Sequence, residues 1–344
     1  MAVSDKGQRE IWVDNVKVIA CVLVVLGHFF QSMVKSEIMA DTDLFEWFNQ
    51  TIYYFHVPLF FICSGYLYQK LSCVNNIKSW KSNVLKKALS LGIPYFTFSI
   101  ISWIIKNVLS SQVNNGAGGF VDNIFTAPVP PYWFLYALFF IFIVTPTFSS
   151  KKKAGIGVIV ALILRILLII GRGHLGFIPY GVLRIMEYEI WFVMGMCMCL
   201  TDFKKAVAER KGALIFSALI GILFIVFSLL IYVMGIISEG AELILGTAAC
   251  LSIIILIIKI YVRNNQSTLF GFMAKYTMPL FLMHTIFAAG TRIVLFKLGI
   301  TGSGVHILAG LFISFAGPVV AAIIMSKVRA LDFLLYPTKY IKIK

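Results

Sequence analysis

The sequence predicts an all-α, polytopic integral membrane protein that crosses the bilayer about ten times, with both termini on the cytoplasmic side. Two observations carry the fold class. Of the 344 residues 60% are apolar and only 13% charged, and the apolar residues gather into runs long enough to span hydrocarbon, about 20 residues each. The alternation of basic and acidic loops between those runs carries the orientation. A soluble domain holds about a quarter charged residues, so two soluble domains, which the length alone would allow, are excluded. The net charge of +15 is broken into short clusters between apolar runs. That is the pattern of loops beside anionic headgroups rather than of a nucleic-acid-binding face, and no nucleic-acid partner is expected.

The elements follow in order along the chain. The first run, 14–34, comes after a short basic N-terminus but is too long for a signal peptide and lacks a small-x-small cleavage pattern, so it is the first span. The second, 50–69, contains Tyr53-Tyr54-Phe55-His56-Val57-Pro58, and the third, 86–108, follows Lys86 and Lys87. A loop over 109–131, rich in Asn, Gly and Pro (Asn114 to Gly119, Pro128, Pro130, Pro131), reads as a connector rather than a lid. The remaining runs are 132–149, 154–171, 181–200, 212–234, 242–260, 271–295 and 304–326. The glycine-rich stretch from Arg172 to Tyr180 is a loop or a re-entrant turn. No internal repeat and no long polar stretch is visible, so residues 1–344 read as a single transmembrane domain with no appended soluble domain.

Basic residues concentrate in alternate loops: Lys70, Lys78, Lys81, Lys86 and Lys87; Lys151 to Lys153; Lys204, Lys205, Arg210 and Lys211; Lys259 and Arg263. The intervening loops 35–49 and 235–242 hold Glu37, Asp41, Asp43, Glu46, Glu239 and Glu242, with Lys35 the single base. The positive-inside rule then places both ends in the cytoplasm, and Lys327, Arg329, Lys339, Lys342 and Lys344 agree.

Five cysteines (Cys21, Cys63, Cys197, Cys199, Cys250) lie inside apolar runs and one, Cys73, in a polar loop. Buried free cysteine packs as a small apolar residue, so no disulfide framework is expected. Cys197 and Cys199 project about 200° apart on a helix, a poor geometry for a metal; no metal site is expected.

Ionisable groups at membrane depth are costly and are functional candidates by default. Lys17 and His28 are separated by eleven residues, about 1100° of helix or 20° beyond three turns, so they share a face, with a rise of about 16 Å between them. This puts Lys17 at the inner interface and His28 near mid-membrane, on a site reached from the cytoplasm. Histidine is the usual general base near neutral pH; the plainer reading is a snorkelling lysine and a packed histidine. His56, near the outer end of the second run, and Ser64-Gly65, which permits close helix approach, divide evenly between packing and site roles. Trp133 begins the fourth run at the outer interface, where aromatic belts anchor helices. His284 in the ninth run faces the interior. Arg184, Glu187 and Glu189 read as an outer ion-pair cluster, and His174 and His306 sit near loops without a special role.

These segments, in this order, resemble acyltransferase family 3 membrane enzymes. Lys17 and His28 resemble the family's Arg/Lys-x10-His signature. Phe60, Phe61, Ser64, Gly65, Tyr66 and Leu67 match its Phe-Phe-x-x-Ser-Gly-Tyr/Phe-Leu motif, and His56-x-Pro58 is similar to the subgroup of sugar O-acetylases. The basic stretch before Pro94-Tyr95, the Trp133-Phe134-Leu135 segment and Leu282-Met283-His284 also match, with Phe281 in place of the usual tyrosine. The signature opens on lysine where arginine is commoner, which exchanges a bidentate fork for a point charge. The resemblance implies acyl transfer, usually of acetyl, from cytoplasmic acetyl-CoA to a hydroxyl of an envelope polysaccharide or its lipid-linked precursor in a bacterial cell membrane. It implies CoA phosphates held by Lys17, Lys86 and Lys87, His28 as base or transient acyl carrier, and His56, Ser64, Trp133 and His284 as acceptor or helper groups. The rival class is a transporter or flippase of a lipid-linked glycan, against which stand the missing repeat and the lack of a central acidic residue.

Overall fold

A computed structural model of the chain describes residues 9–114, 116, 118–171, 173–236, 238–262 and 266–343; Asn115, Ala117, Arg172, Arg263 and Lys344 lie outside the described residues. Among those described, every regular element is helical: α1 (Ile11–Lys35), α2 (Asp43–Tyr53), α3 (His56–Leu71), α4 (Ile77–Lys87), α5 (Ile93–Val108), α6 (Trp133–Val144), α7 (Lys151–Gly171), α8 (Tyr180–Leu200), α9 (Phe203–Glu209), α10 (Ala213–Val233), α11 (Glu239–Ile260), α12 (Thr268–Lys297), α13 (Ser303–Met325) and α14 (Arg329–Leu335). Seven segments are long and apolar enough to cross a membrane: α1, the stretch Ile77–Val108 through α4 and α5, α7, α10, α11, α12 and α13. The other three expected runs correspond to α3 with 16 residues, α6 with only 12, and α8, which carries Arg184, Glu187 and Glu189. On α7 and α10 most large apolar side chains point outward, Leu162, Ile163, Phe216, Leu219 and Phe227 among them; water does not tolerate such faces and lipid does.

Two local features differ from the expected boundaries, each for a physical reason. The run 50–69 is broken at Tyr54-Phe55, so that α2 and α3 are separate helices. Pro58 has no N–H to donate back across the break, which a first turn tolerates at no cost, and His56 consequently heads α3. Thr42 caps α2 by accepting from the Phe45 N–H, and α2 is tied to α10 by the Trp47 indole donating to Ser228 at 3.3 Å. Between α4 and α5 the chain makes one π turn, Ala88–Gly92, where Pro94 again removes a donor. The stretch 173–179 is a set of turns leading into α8, within the expected Arg172 to Tyr180 stretch.

The closest helix crossing is α3 on α8, and it depends on two glycines. A methyl group placed on Gly65 would strike the backbone carbonyl of Phe192, and one on Gly195 would strike that of Ile62. Small residues let backbones approach in this way where hydrocarbon supplies no hydrophobic drive between helices. Phe61 and Tyr188 stack beside the crossing at 4.7 Å.

Polar pairs join helices elsewhere. Arg165 on α7, with 3% of its side chain exposed, reaches Glu242 on α11 at 3.3 Å and Glu187 on α8 at 3.9 Å. Arg184 also bonds Glu187, at 2.5 Å. Glu189 does not join this cluster. It lies one face away and accepts from Thr145 Oγ1 at 2.7 Å, while Thr145 C=O accepts from Tyr68. At the start of α1, Glu10 is gripped by Lys70 and by Lys204 at 3.0 Å. Burial alone would raise the Glu10 carboxyl, but these two bonds outweigh it and hold it below its usual range.

Candidate functional site

The far end of α1, around Lys35, frames a cavity of about 860 Å³. Its walls come from α1, α3, α5, α12 and the Pro130–Phe134 segment that leads into α6. The Tyr132 hydroxyl donates to the Leu282 carbonyl at 3.0 Å and so ties that segment to α12. Phe60, Phe134 and Phe281 form an apolar wall, their ring centroids 5.4 to 6.2 Å apart.

Three histidines meet in this cavity: His28 from α1, His56 from the head of α3 and His284 from α12. The His28 and His284 ring centroids are 5.4 Å apart, and His56 packs edge-on against Tyr53 at 4.6 Å. Each of two rings has its Nδ1 against backbone carbonyls. His56 contacts Ile52 C=O at 2.6 Å, and His284 contacts Leu280 C=O at 2.9 Å and Phe281 C=O at 3.0 Å. A carbonyl oxygen only accepts, so Nδ1 carries the proton in both rings and Nε2 keeps the lone pair. The His284 Nε2 is buried with no hydrogen-bond partner among the described residues. An imidazole held in that tautomer has its acceptor nitrogen available to take a proton from a bound hydroxyl.

Of the residues singled out from sequence, His28, His56, Trp133 and His284 line this cavity, and Lys17, Lys86, Lys87 and Ser64 do not. Lys17 stands half-buried on α1, three turns from His28 and toward the Glu10 end. Lys87 holds its ammonium 3.7 Å over the Phe142 ring, close enough to Lys17 and Lys86 for their charges to act on it. These lysines therefore form a basic group separate from the cavity. Ser64 is half-buried beside Gly65 at the α3–α8 crossing.

Further polar groups line the cavity without having been singled out: Gln31, Lys35, Tyr53, Ser102, Lys106 and Arg292. Arg292 and Lys106 fall inside apolar runs, and an ionisable group at that depth is the signal that would have found them. Among the described residues no group of three His, Cys, Asp or Glu side chains is placed to hold a metal ion.

The family model described as "Acyltransferase domain" matches residues 10–323. Nodulation protein NolL of Mesorhizobium japonicum is 29% identical over 156 residues, covering 44% of this chain and 39% of that protein. Nodulation protein NolL of Sinorhizobium fredii is 33% identical over 146 residues, 41% of this chain and 37% of its own length. The chain thus aligns with less than half the length of either relative. No solved structure matches it.

Proposed function

The chain belongs to acyltransferase family 3, and from that premise we propose that it is a bacterial cytoplasmic-membrane O-acyltransferase. It moves acetyl from cytoplasmic acetyl-CoA to a hydroxyl of a cell-surface polysaccharide or its lipid-linked precursor. The observation that carries this reading is the meeting of His28, His56 and His284 in one cavity inside the helical bundle. In this reading α3, α6 and α8 also cross the bilayer, giving about ten spans with both termini inside, as the loop charges require.

The donor and acceptor then approach from opposite ends. The CoA phosphates pair with Lys17, Lys86 and Lys87 at the cytoplasmic end, and the pantetheine arm brings the thioester along α1 toward His28. The acceptor occupies the cavity from the Lys35 end. His28 takes the proton of the acceptor hydroxyl, the oxygen attacks the thioester carbon, the C–S bond breaks, and the CoA sulfur leaves with the proton that histidine returns. In a two-step form the imidazole nitrogen itself attacks first and passes the acyl group to the acceptor. His56 and His284 orient the acceptor hydroxyl, and the Trp133 ring packs on the sugar face.

The test is acetyl transfer from labelled acetyl-CoA in proteoliposomes bearing lipid-linked glycan. His28→Ala is expected to lose about 10²- to 10⁴-fold in rate with normal membrane insertion. Full activity in that variant overturns the assignment, and movement of unmodified glycan without label transfer supports the transporter class instead.

A further inference from the structure

We infer that the acceptor carries an oxyanion, phosphate or carboxylate, which is seated on Arg292 at the outer part of the cavity with Lys106 and Lys35 beside it. This rests on the proposed function for the word acceptor, while the anion site itself rests on geometry alone.

Arg292 is 3% exposed, and a buried cation is normally paired with a carboxylate. Arg165 shows the ordinary solution in the same fold, with Glu242 and Glu187 around it. Arg292 has no such partner among the described residues. Its bonds run from Nη1 alone, to the Ser32 hydroxyl at 2.6 Å, the Ser36 hydroxyl at 2.6 Å and the Ser32 carbonyl at 3.4 Å. Neutral oxygens orient a guanidinium without neutralising it. Five N–H donors are available, and those on Nη2 and Nε remain to be used on the cavity that the residue lines. A planar fork of this kind fits the paired oxygens of a phosphate or carboxylate.

The neighbouring groups strengthen the site. Lys106 and Lys35 line the same cavity, and among the described residues no aspartate or glutamate does. Asn114 fixes the serine side of the site, donating to the Ser32 carbonyl at 3.0 Å and accepting from the Ser36 hydroxyl at 3.0 Å. Arg292 and Lys106 on one cavity make its field positive in a low-dielectric setting. The site also has a ruler. Ser32, which holds Arg292, is one helical turn beyond His28, a rise of about 6 Å. That is about the width of one pyranose ring, so the geometry suits a hydroxyl on the same sugar as the anionic group or on its immediate neighbour.

The experiment uses the full chain in lipid nanodiscs, with thermal unfolding and Trp133-region fluorescence as readouts of binding and no donor present. The probes are N-acetylglucosamine 1-phosphate, glucuronic acid and uncharged N-acetylglucosamine. The two charged probes separate the phosphate and carboxylate sources. At least one of them is expected to stabilise the wild type, to bind about tenfold or more tighter than the neutral sugar, and to lose that advantage in Arg292→Met and at high salt. Lys106→Met, a change at a half-buried side chain, should weaken the charged probe alone and serves if Arg292→Met does not fold. Equal binding of charged and neutral sugars, or full retention of the preference in both variants, overturns the proposal. Charge-selective binding without any acetyl transfer would overturn the enzyme reading and leave the anion site standing; transfer to a neutral sugar with no charge preference would do the reverse.

Discussion

Replacing Gly65 by alanine tests how tightly the α3–α8 crossing sets the cavity. The added methyl would press on the Phe192 carbonyl. Carbon and carbonyl oxygen in contact normally stand about 3.3–3.6 Å apart, so the two helices must part by roughly 1.5 Å. The obstruction is backbone, which cannot swing aside as a side chain does. The cost therefore belongs at the upper end of the overpacking range, about 2–3 kcal/mol. The displacement reaches the site because His56, Val57 and Phe60 on α3 all line the cavity. A shift of about 1 Å in a positioning element can cost about 10²-fold in rate. The assay pairs thermal unfolding in nanodiscs with acetyl transfer at fixed protein level. The control is Gly155→Ala on α7, where nothing lies within 4 Å of the new methyl and a helical glycine gains about 0.5–1 kcal/mol on becoming alanine. If Gly65→Ala unfolds and reacts as Gly155→Ala does, the crossing is not a close backbone contact and the reasoning fails.

Other perturbations reach different links. The Glu10 carboxyl, whose ordinary pKa is 4.5, is held lower by Lys70 and Lys204 against the opposing effect of burial. Its contribution is thus present in full above the unfolded value and disappears as pH falls through the lower folded one. Wild type should lose thermal stability below about pH 4.5 more steeply than Glu10→Gln, which at pH 7 should already be about 1–2 kcal/mol less stable; Lys204, 37% exposed, limits the loss. Parallel melting curves for both proteins across that range would refute the link. Arg165→Met removes the cation between Glu187 and Glu242 and, with Arg184 still on Glu187, should cost about 1–3 kcal/mol, measured by unfolding. Adding Glu242→Gln to it should recover part of that loss, and an additive double variant would show that the pair is not coupled.

The sequence made the helical, membrane-bound class legible because periodicity is hardly needed where whole runs are apolar. It also located most run boundaries, since basic clusters and glycines end them. What it could not reveal was the break at Tyr54-Phe55, because Tyr53, Phe55 and Phe60 are apolar on both sides and hydropathy does not register a missing hydrogen bond. Lys17 and His28 share a helical face as their spacing requires, yet only His28 reaches the cavity, since a shared face does not mean a shared depth. The meeting of His28 with His284 is a contact between residues 256 positions apart, fixed by how α1 packs on α12. Arg292 was legible as an ionisable residue in an apolar run, but its lack of a carboxylate partner exists only in three dimensions. Glu189 illustrates the reverse: two residues from Glu187 in sequence, it points to a different helix.

The brevity of α6 has a consequence for the depth of the cavity wall. Twelve residues cover roughly 18 Å, against a hydrocarbon layer of roughly 30 Å. Where α6 stops, Thr145, Glu189 and Tyr68 begin a buried polar layer. The α6 side chains from Trp133 to Ile143 are all buried or half-buried, so its ends meet neighbouring helices, where a short helix and a polar layer are tolerated. The wall that α6 lends the cavity is therefore little more than half as deep as the hydrocarbon layer. Under the function proposed above, that short wall is what separates the donor end from the acceptor end.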